Sequence, residues 1–393
     1  MKYDFHTRID RSDAGAAKWE DMYARNPDVS KGVVPLSVAD MEFKHPDQLT
    51  DGLCEHIRHT VLGYTGPNEA YRRAVVDWME RRHDFHIEED WIVNTRGVVP
   101  AFFNAIRAFT EEGDGVIVMS PVYYPFYNAI KRQDRHIVDC PLIETDGYYT
   151  IDYDLFDRLA RENKNKILLF CSPHNPVGRV WKRDELEKLS EIVKKNDLIL
   201  LSDEIHFDLI MPGYTHTVFQ TVDEELAERT VTFTAPSKSF NLAGVGISNV
   251  IIKNEAMRRR FSDELMKVSA SANTAIGYKA CEIAYNECED WLDECIQVID
   301  ANQRRVKKFF DEKYPAIKAY LSEGTYLQWV DFRSLNMNKD ELEAFMTKKA
   351  ELFLDEGYYF GKNGEGYERI NLAAPSEVIE EALERLDAAL KTL

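Results

Sequence analysis

The chain has 393 residues, 44% hydrophobic and 30% charged, an ordinary balance for a globular protein large enough to form two or three domains. Its 49 Lys and Arg against 68 Asp and Glu leave a formal net charge of -19, which opposes binding to nucleic acid or to an anionic membrane through bulk electrostatics. No apolar run approaches the roughly 18 residues of a membrane span, and the opening MKYDFHTRIDRSD has no apolar leader region, so a cytoplasmic protein acting on small molecules is expected.

The first 40 or so residues, with VVPLSVADMEF, complete no unit of their own and are expected to pack with a smaller domain. In NTRGVVPAFFNAIRAF (94–109), Gly97 precedes Pro100, and an apolar helix is expected from Ala101 to Phe109. Proline is favoured in a first helical turn, where its missing N–H has no partner to lose. The free N–H groups there, approached closely past Gly97, suit either an ordinary helix start or a phosphate.

The middle of the chain alternates apolar runs with helical patterns. VIVMS (116–120), KILLFCS (166–172), LILLSDE (198–204), TVTFTA (230–235) and SNVIIK (248–253) read as buried strands. RDELEKLSEIVKKN (183–196) is helical by the spacing of Leu186, Leu189, Ile192 and Val193. Strand, helix and strand in that order predict a mainly parallel sheet, with ligands at the carboxyl ends of its strands.

Long amphipathic helices follow from about residue 285. DWLDECIQVIDANQRRVKKFF comes first and EVIEEALERLDAAL last, with the strand-like TYLQWVDF between them. The expected architecture is α/β, with a large domain over 45–285 and a smaller α+β domain from 1–44 and 286–393. The six cysteines have no CxxC pair and no metal-ligand spacing, so no metal site is expected. Cys281, Cys288 and Cys295 recur every seventh residue, about 10 Å apart on a helix and too far for a disulfide, so they are expected as core residues on one helix face.

Four segments end apolar strands with polar residues: Tyr123 and Tyr124 in SPVYYPF, Asn175 in LLFCSPHNPVG, Asp203 and His206 in LLSDEIHFD, Ser237 and Lys238 in TAPSKSF. Singly, Asn175 reads as a turn former, Asp203 as a helix cap, Tyr123 as a core aromatic and Lys238 as a solvated charge. Together, an amine, a carboxylate, a stacking ring and a phosphate cup form a coherent set for pyridoxal 5'-phosphate. Lys238 forms the Schiff base and its freed amine serves as a local base. Asp203 pairs with the ring nitrogen, a charge pair that favours the electron-withdrawing form by roughly 1.4 to 4 kcal/mol. Tyr123 stacks on the ring, and Asn175 donates to its phenolic oxygen.

The order NPVG, DEIH, SKSFNLAG and GYERINLAAP resembles the fold-type-I pyridoxal-phosphate enzymes of the class I/II aminotransferase superfamily. PLSVADMEF, GYTGP, GVVPA, PVYYPF and SDEIHFDLI are similar to the MalY/PatB branch of carbon–sulfur β-lyases over nearly the whole chain. The resemblance implies the same roles for Lys238, Asp203, Asn175 and Tyr123, with Val98 and Val99 in the backbone phosphate cup and Ser237 on the phosphate side. It also implies that Tyr64 reaches the phosphate of a neighbouring subunit in a homodimer, and that Arg369 clamps the substrate α-carboxylate. Ala39 and Tyr124 are placed on the substrate side.

Two positions depart from many aminotransferases. Gly246 stands where an arginine often holds the phosphate, and His206 where a tyrosine is common. His206 is counted among the cofactor contacts and read as a satisfied polar residue behind the ring. The implied activity is α,β-elimination of cystathionine or cysteine S-conjugates to a thiol, pyruvate and ammonia. Amino-group transfer uses the same residues and is the alternative, and a regulatory binding protein retaining the fold is a further one.

Overall fold

A computed structural model describes residues 1–271 and 274–393. A seven-stranded sheet organises the larger part of the chain. Its strands are β1 (Ile92–Thr95), β2 (Gly115–Val118), β3 (His136–Asp139), β4 (Asn165–Cys171), β5 (Ile199–Asp203), β6 (Thr230–Thr234) and β7 (Ser248–Ile251). They lie in the order β1-β7-β6-β5-β4-β2-β3. β7 runs antiparallel to both neighbours, and the remaining pairs are parallel.

Residues of alternate parity divide between the two faces, as a period of two requires. Val116, Val118, Ile167 and Leu169 pack with Phe102 and Ile106 of helix α1 (Val98–Phe109), whereas Ile117, Leu168 and Phe170 pack with Leu186, Leu189 and Val193 of helix α2 (Arg183–Lys195). Apolar cover on both sides explains why these strands read as continuous apolar runs. The two edge strands escape that reading because the four-residue stretches IVNT (92–95) and HIVD (136–139) are short and only partly covered.

Helix α1 begins at Val98, three residues before the expected Ala101, because Gly97 caps it with φ 139° and frees the chain to turn directly into the helix. The cysteine expectation needs correction. Helix α3 (Ala275–Glu287) ends at Cys288, and helix α4 (Glu289–Lys313) starts immediately after it. All three cysteines are buried, but they belong to two helices and the turn between them. Glu289 and Asp290 favour a new helix N-terminus at that point, and Arg81 and Arg82 both pair with Glu289.

A second, antiparallel sheet holds β8 (Lys318–Ala319), β9 (Leu327–Asp331), β10 (Asp355–Glu356) and β11 (Tyr367–Asn371), in the order β8-β9-β11-β10. Helix α5 (Ser376–Leu390) closes the chain. The N-terminal segment is laid along this sheet: Asn371 donates its N–H to Leu36 O at 2.9 Å, and Glu42 donates to Ala373 O at 2.8 Å. The side chain of Asn371 also donates to the carbonyls of Val38 and Asp40. This stitching carries residues 36–42 across to the carboxyl edge of the large sheet. No helix among the described residues is long and apolar enough to cross a membrane.

Candidate active site

Register is what collects the polar strand ends. Cys171 at the end of β4 pairs with Asp203 at the end of β5, which pairs with Phe233 in β6. The chain leaving each strand then turns over the same edge, delivering Asn175, His206 and Lys238 within a few residues. A cavity of about 160 Å³ opens there, lined by Lys238, Asp203, Asn175, Tyr123, His206 and Ser237, together with Val98, Val99 and Ala39.

Lys238 sits on the short helix Pro236–Ser239. Its ammonium donates to Ala39 O at 2.5 Å, and Tyr326 OH donates to the same carbonyl at 2.7 Å. Burial, helped by the nearby Arg369 cation, lowers the amine to about 8, so a substantial neutral, nucleophilic fraction exists near neutral pH. Asp203 is buried, and its side chain accepts a hydrogen bond from Ile205 N at 3.3 Å, the single one among the described residues. Burial raises its carboxyl to about 7. A carboxylate held this way gains most from a cationic N–H partner.

Burial also raises the Tyr123 phenol, which therefore stays neutral. It lowers His206 well below the usual imidazole value, an effect reinforced by Lys238 and Arg369. The Nδ1 of His206 is buried without a hydrogen-bond partner among the described residues. An orphaned buried polar atom costs about 1–3 kcal/mol unless something fills the space before it.

Val98 and Val99 stand in the first turn of α1, where backbone N–H groups lack intrahelical acceptors. Gly246 lines the same cavity with φ 61°, a left-handed conformation that strains any residue with a Cβ. That geometry accounts for a glycine where an arginine is common. Arg96 also lines the cavity and was not singled out from sequence; its only local signal is that it precedes Gly97.

Arg369, on β11, is buried and brought in from the smaller sheet. It donates to Asn175 Oδ1 at 2.8 Å, pairs with Asp355, and stacks on the Phe360 ring 4.7 Å from its centroid. Its Nε has no hydrogen-bond partner among the described residues. Tyr124 lies at the rim, its ring 5.5 Å from that of Tyr123, and does not line the cavity itself. Tyr64 is not brought to the cavity within one chain: it is 102% exposed, beside Val61 and Leu62.

These residues fit pyridoxal phosphate on their own geometry. An amine with a lowered pKa, a buried carboxylate short of a cationic partner, an orphaned His206 Nδ1 and a helix start with free N–H groups converge on one cavity.

A mainly parallel sheet with a lysine, an aspartate and a phosphate-type helix start at its carboxyl edge defines a class. The chain belongs to the aminotransferase class I and II family, whose model matches residues 31–386. Among its relatives, cystathionine β-lyase PatB of Bacillus subtilis is 37% identical over 91% of this chain and 92% of its own length. The solved structure of cystalysin from Treponema denticola, which contains a pyridoxal 5'-phosphate cofactor, is 61% identical and superposes with a TM-score of 0.99 over 100% of both chains. The pyridoxal-phosphate-bound carbon–sulfur lyase of Staphylococcus hominis is 30% identical, with a TM-score of 0.92 over 99% of this chain and 98% of its own.

Proposed function

We propose that the protein is a pyridoxal-phosphate-dependent carbon–sulfur β-lyase that cleaves cystathionine or related cysteine S-conjugates to a thiol, pyruvate and ammonia. The observation that carries this reading is the convergence of Lys238, Asp203 and Asn175 on one cavity, with Arg369 bonded to Asn175 from the smaller sheet, in a chain whose relatives include lyases of this kind. Residues 45–285 form the cofactor-binding part in this reading, and 1–44 with 286–393 cover it.

When bound, pyridoxal phosphate supplies an electron-withdrawing ring and a carbon that takes up the substrate amine. Lys238 would hold the cofactor, and its amine, lowered to about 8 by burial, would be placed to take the Cα proton near neutral pH. Asp203 would hold the ring nitrogen in its protonated form, and Asn175 would donate to the ring oxygen. Tyr123 covers one ring face, and His206 offers its unpartnered Nδ1. Val98, Val99 and Ser237 hold the phosphate. Arg369 orients the α-carboxylate, with Ala39 and Tyr124 at the substrate side. As the Cα–H bond breaks, its electrons form the Cα–Cβ double bond and expel the thiolate. Water then hydrolyses the three-carbon enamine to pyruvate and ammonia.

Purified protein given cystathionine and no oxo acid is expected to release pyruvate, ammonia and homocysteine in equal amounts over many turnovers. Amino-group exchange between alanine and an oxo acid should be slow beside it. Rapid exchange with no pyruvate from any cysteine S-conjugate rejects the lyase and leaves an aminotransferase.

The exposure of Val61 (88%), Leu62 (62%) and Tyr64 (102%) supports a homodimer in which Tyr64 completes a neighbouring site, since an apolar rim of this kind favours burial against a second copy. Mixing an inactive Tyr64→Ala protein with an inactive Lys238→Ala protein is expected to restore activity after subunit exchange, because half the sites in mixed dimers are then intact. A fully active monomer in sedimentation contradicts shared sites. Six unpaired cysteines, five of them buried, support a reducing cytoplasmic setting.

A further inference from the structure

Arg369 has five N–H donors in a planar fork. One goes to Asn175 Oδ1, one goes to Asp355 Oδ2, and the Nε donor has no partner among the described residues. The side chains of Arg369 and Asp355 are only 2% and 13% exposed, so solvent screens the pair weakly. Asp355 is itself fixed. It lies opposite Arg369 in the β10–β11 register, and Val38 N donates to the same Oδ2 at 3.0 Å. Val38 holds φ 50°, a conformation that a β-branched residue adopts only when its surroundings compel it. The strap that presents Ala39 to Lys238 is thus tied at Val38 to the counter-ion of Arg369.

A permanent carboxylate beside a buried guanidinium offsets the cost of burying the cation, but it also competes with any anion that the guanidinium is to bind. The arriving α-carboxylate meets a cation already neutralised, and must share the fork with Asp355 or take its place. Pyruvate carries the same carboxylate and meets the same competition on the way out.

We propose that Asp355 is a resident counter-ion of Arg369 that weakens the hold on α-carboxylates, limiting the retention of both the amino-acid substrate and the oxo-acid product. This rests on reading Arg369 as the carboxylate clamp. Asp355 acts through Arg369 and is a specificity-setting residue, selecting how strongly a free carboxylate is preferred over a neutral group of similar shape.

The test is calorimetric binding to the holoenzyme of 3-(methylthio)propanoate and of its neutral amide, both of which lack the amine that engages the cofactor. Asp355→Asn preserves the shape and an oxygen acceptor for Val38 N while removing the charge. Carboxylate binding is expected to tighten by about tenfold, at the low end of what one close charge contributes, and amide binding to change by less than about twofold. Unchanged or weaker carboxylate binding overturns the proposal, as does equal tightening of the amide, which marks a change of shape. Asp355→Ser serves in its place if the asparagine variant does not fold. Arg369→Ala in parallel separates the two readings. If it leaves the preference for carboxylate over amide intact, the clamp itself is wrongly placed. If it abolishes that preference while Asp355→Asn brings no gain, only the counter-ion proposal fails.

Discussion

Replacing Lys238 with alanine is expected to lower lyase turnover by at least about 10⁴-fold, because the substitution removes both the covalent attachment and the base that moves the Cα proton. Among the described residues no second lysine lines the cavity to take its place. The variant should still fold. Among the described residues Lys238 makes one side-chain hydrogen bond, to Ala39 O, and that carbonyl keeps Tyr326 OH as a donor. Burial disfavours the ammonium and depresses its pKa to about 8, so below that pH the charged amine is a liability to the cofactor-free fold that alanine does not carry. Two measurements check the result: turnover with a cysteine S-conjugate, and borohydride reduction followed by peptide mapping. Wild-type protein should carry the reduced cofactor on the peptide containing Lys238. Covalent cofactor retained on another lysine in the variant rejects the assignment.

Asp203→Asn is the second large effect, and its two halves have opposite signs. Turnover should fall roughly 10- to 1000-fold, the rate equivalent of about 1.4 to 4 kcal/mol, since an amide cannot hold the ring proton. The Michaelis constant should move less than about twofold, as expected when the lost interaction is felt mainly in the transition state. The cofactor-free protein should nevertheless become more heat-stable. Burial raises the Asp203 carboxyl from 3.8 to about 7, so the folded state resists its ionisation. The penalty is absent below pH 4, grows between pH 4 and 7 as the unfolded chain ionises first, and is complete above pH 7. Asparagine removes it, so the midpoint should rise by about 2–5 °C at pH 8 and stay unchanged at pH 4. Calorimetric melting at the two pH values reads this directly. Equal shifts at both indicate a packing effect, and unchanged turnover indicates that the ring proton is held by another group.

Local pattern carried much of this protein. Runs of Val, Ile and Leu announced β2, β4 and β5, and the β-branched TVTFT and apolar VII runs announced β6 and β7, because both sheet faces are covered and burial favours apolar and β-branched residues at successive positions. The polar residues that end those runs were legible for the same reason: Asp203 and Asn175 interrupt stretches that burial otherwise keeps free of charge. The motif order from NPVG through DEIH and SKSFNLAG to GYERINLAAP was enough to indicate the cofactor and the family.

Tertiary structure decided the rest, since a periodic pattern shows which face of an element is apolar and not which element will cover it. The strand order that sets Cys171 beside Asp203, the union of Asn175 with Arg369 across 194 residues, and the reach of Lys238 to Ala39 across 199 residues have no local signature. Nor do the orphaned Nδ1 of His206 and the carboxylate of Asp355 on Arg369, because each depends on what neighbouring elements leave unpaired. Composition and spacing thus settled the chemistry available to the chain. Only packing between distant segments settled which of those groups meet, how far burial moves their protonation, and which of them lack a partner.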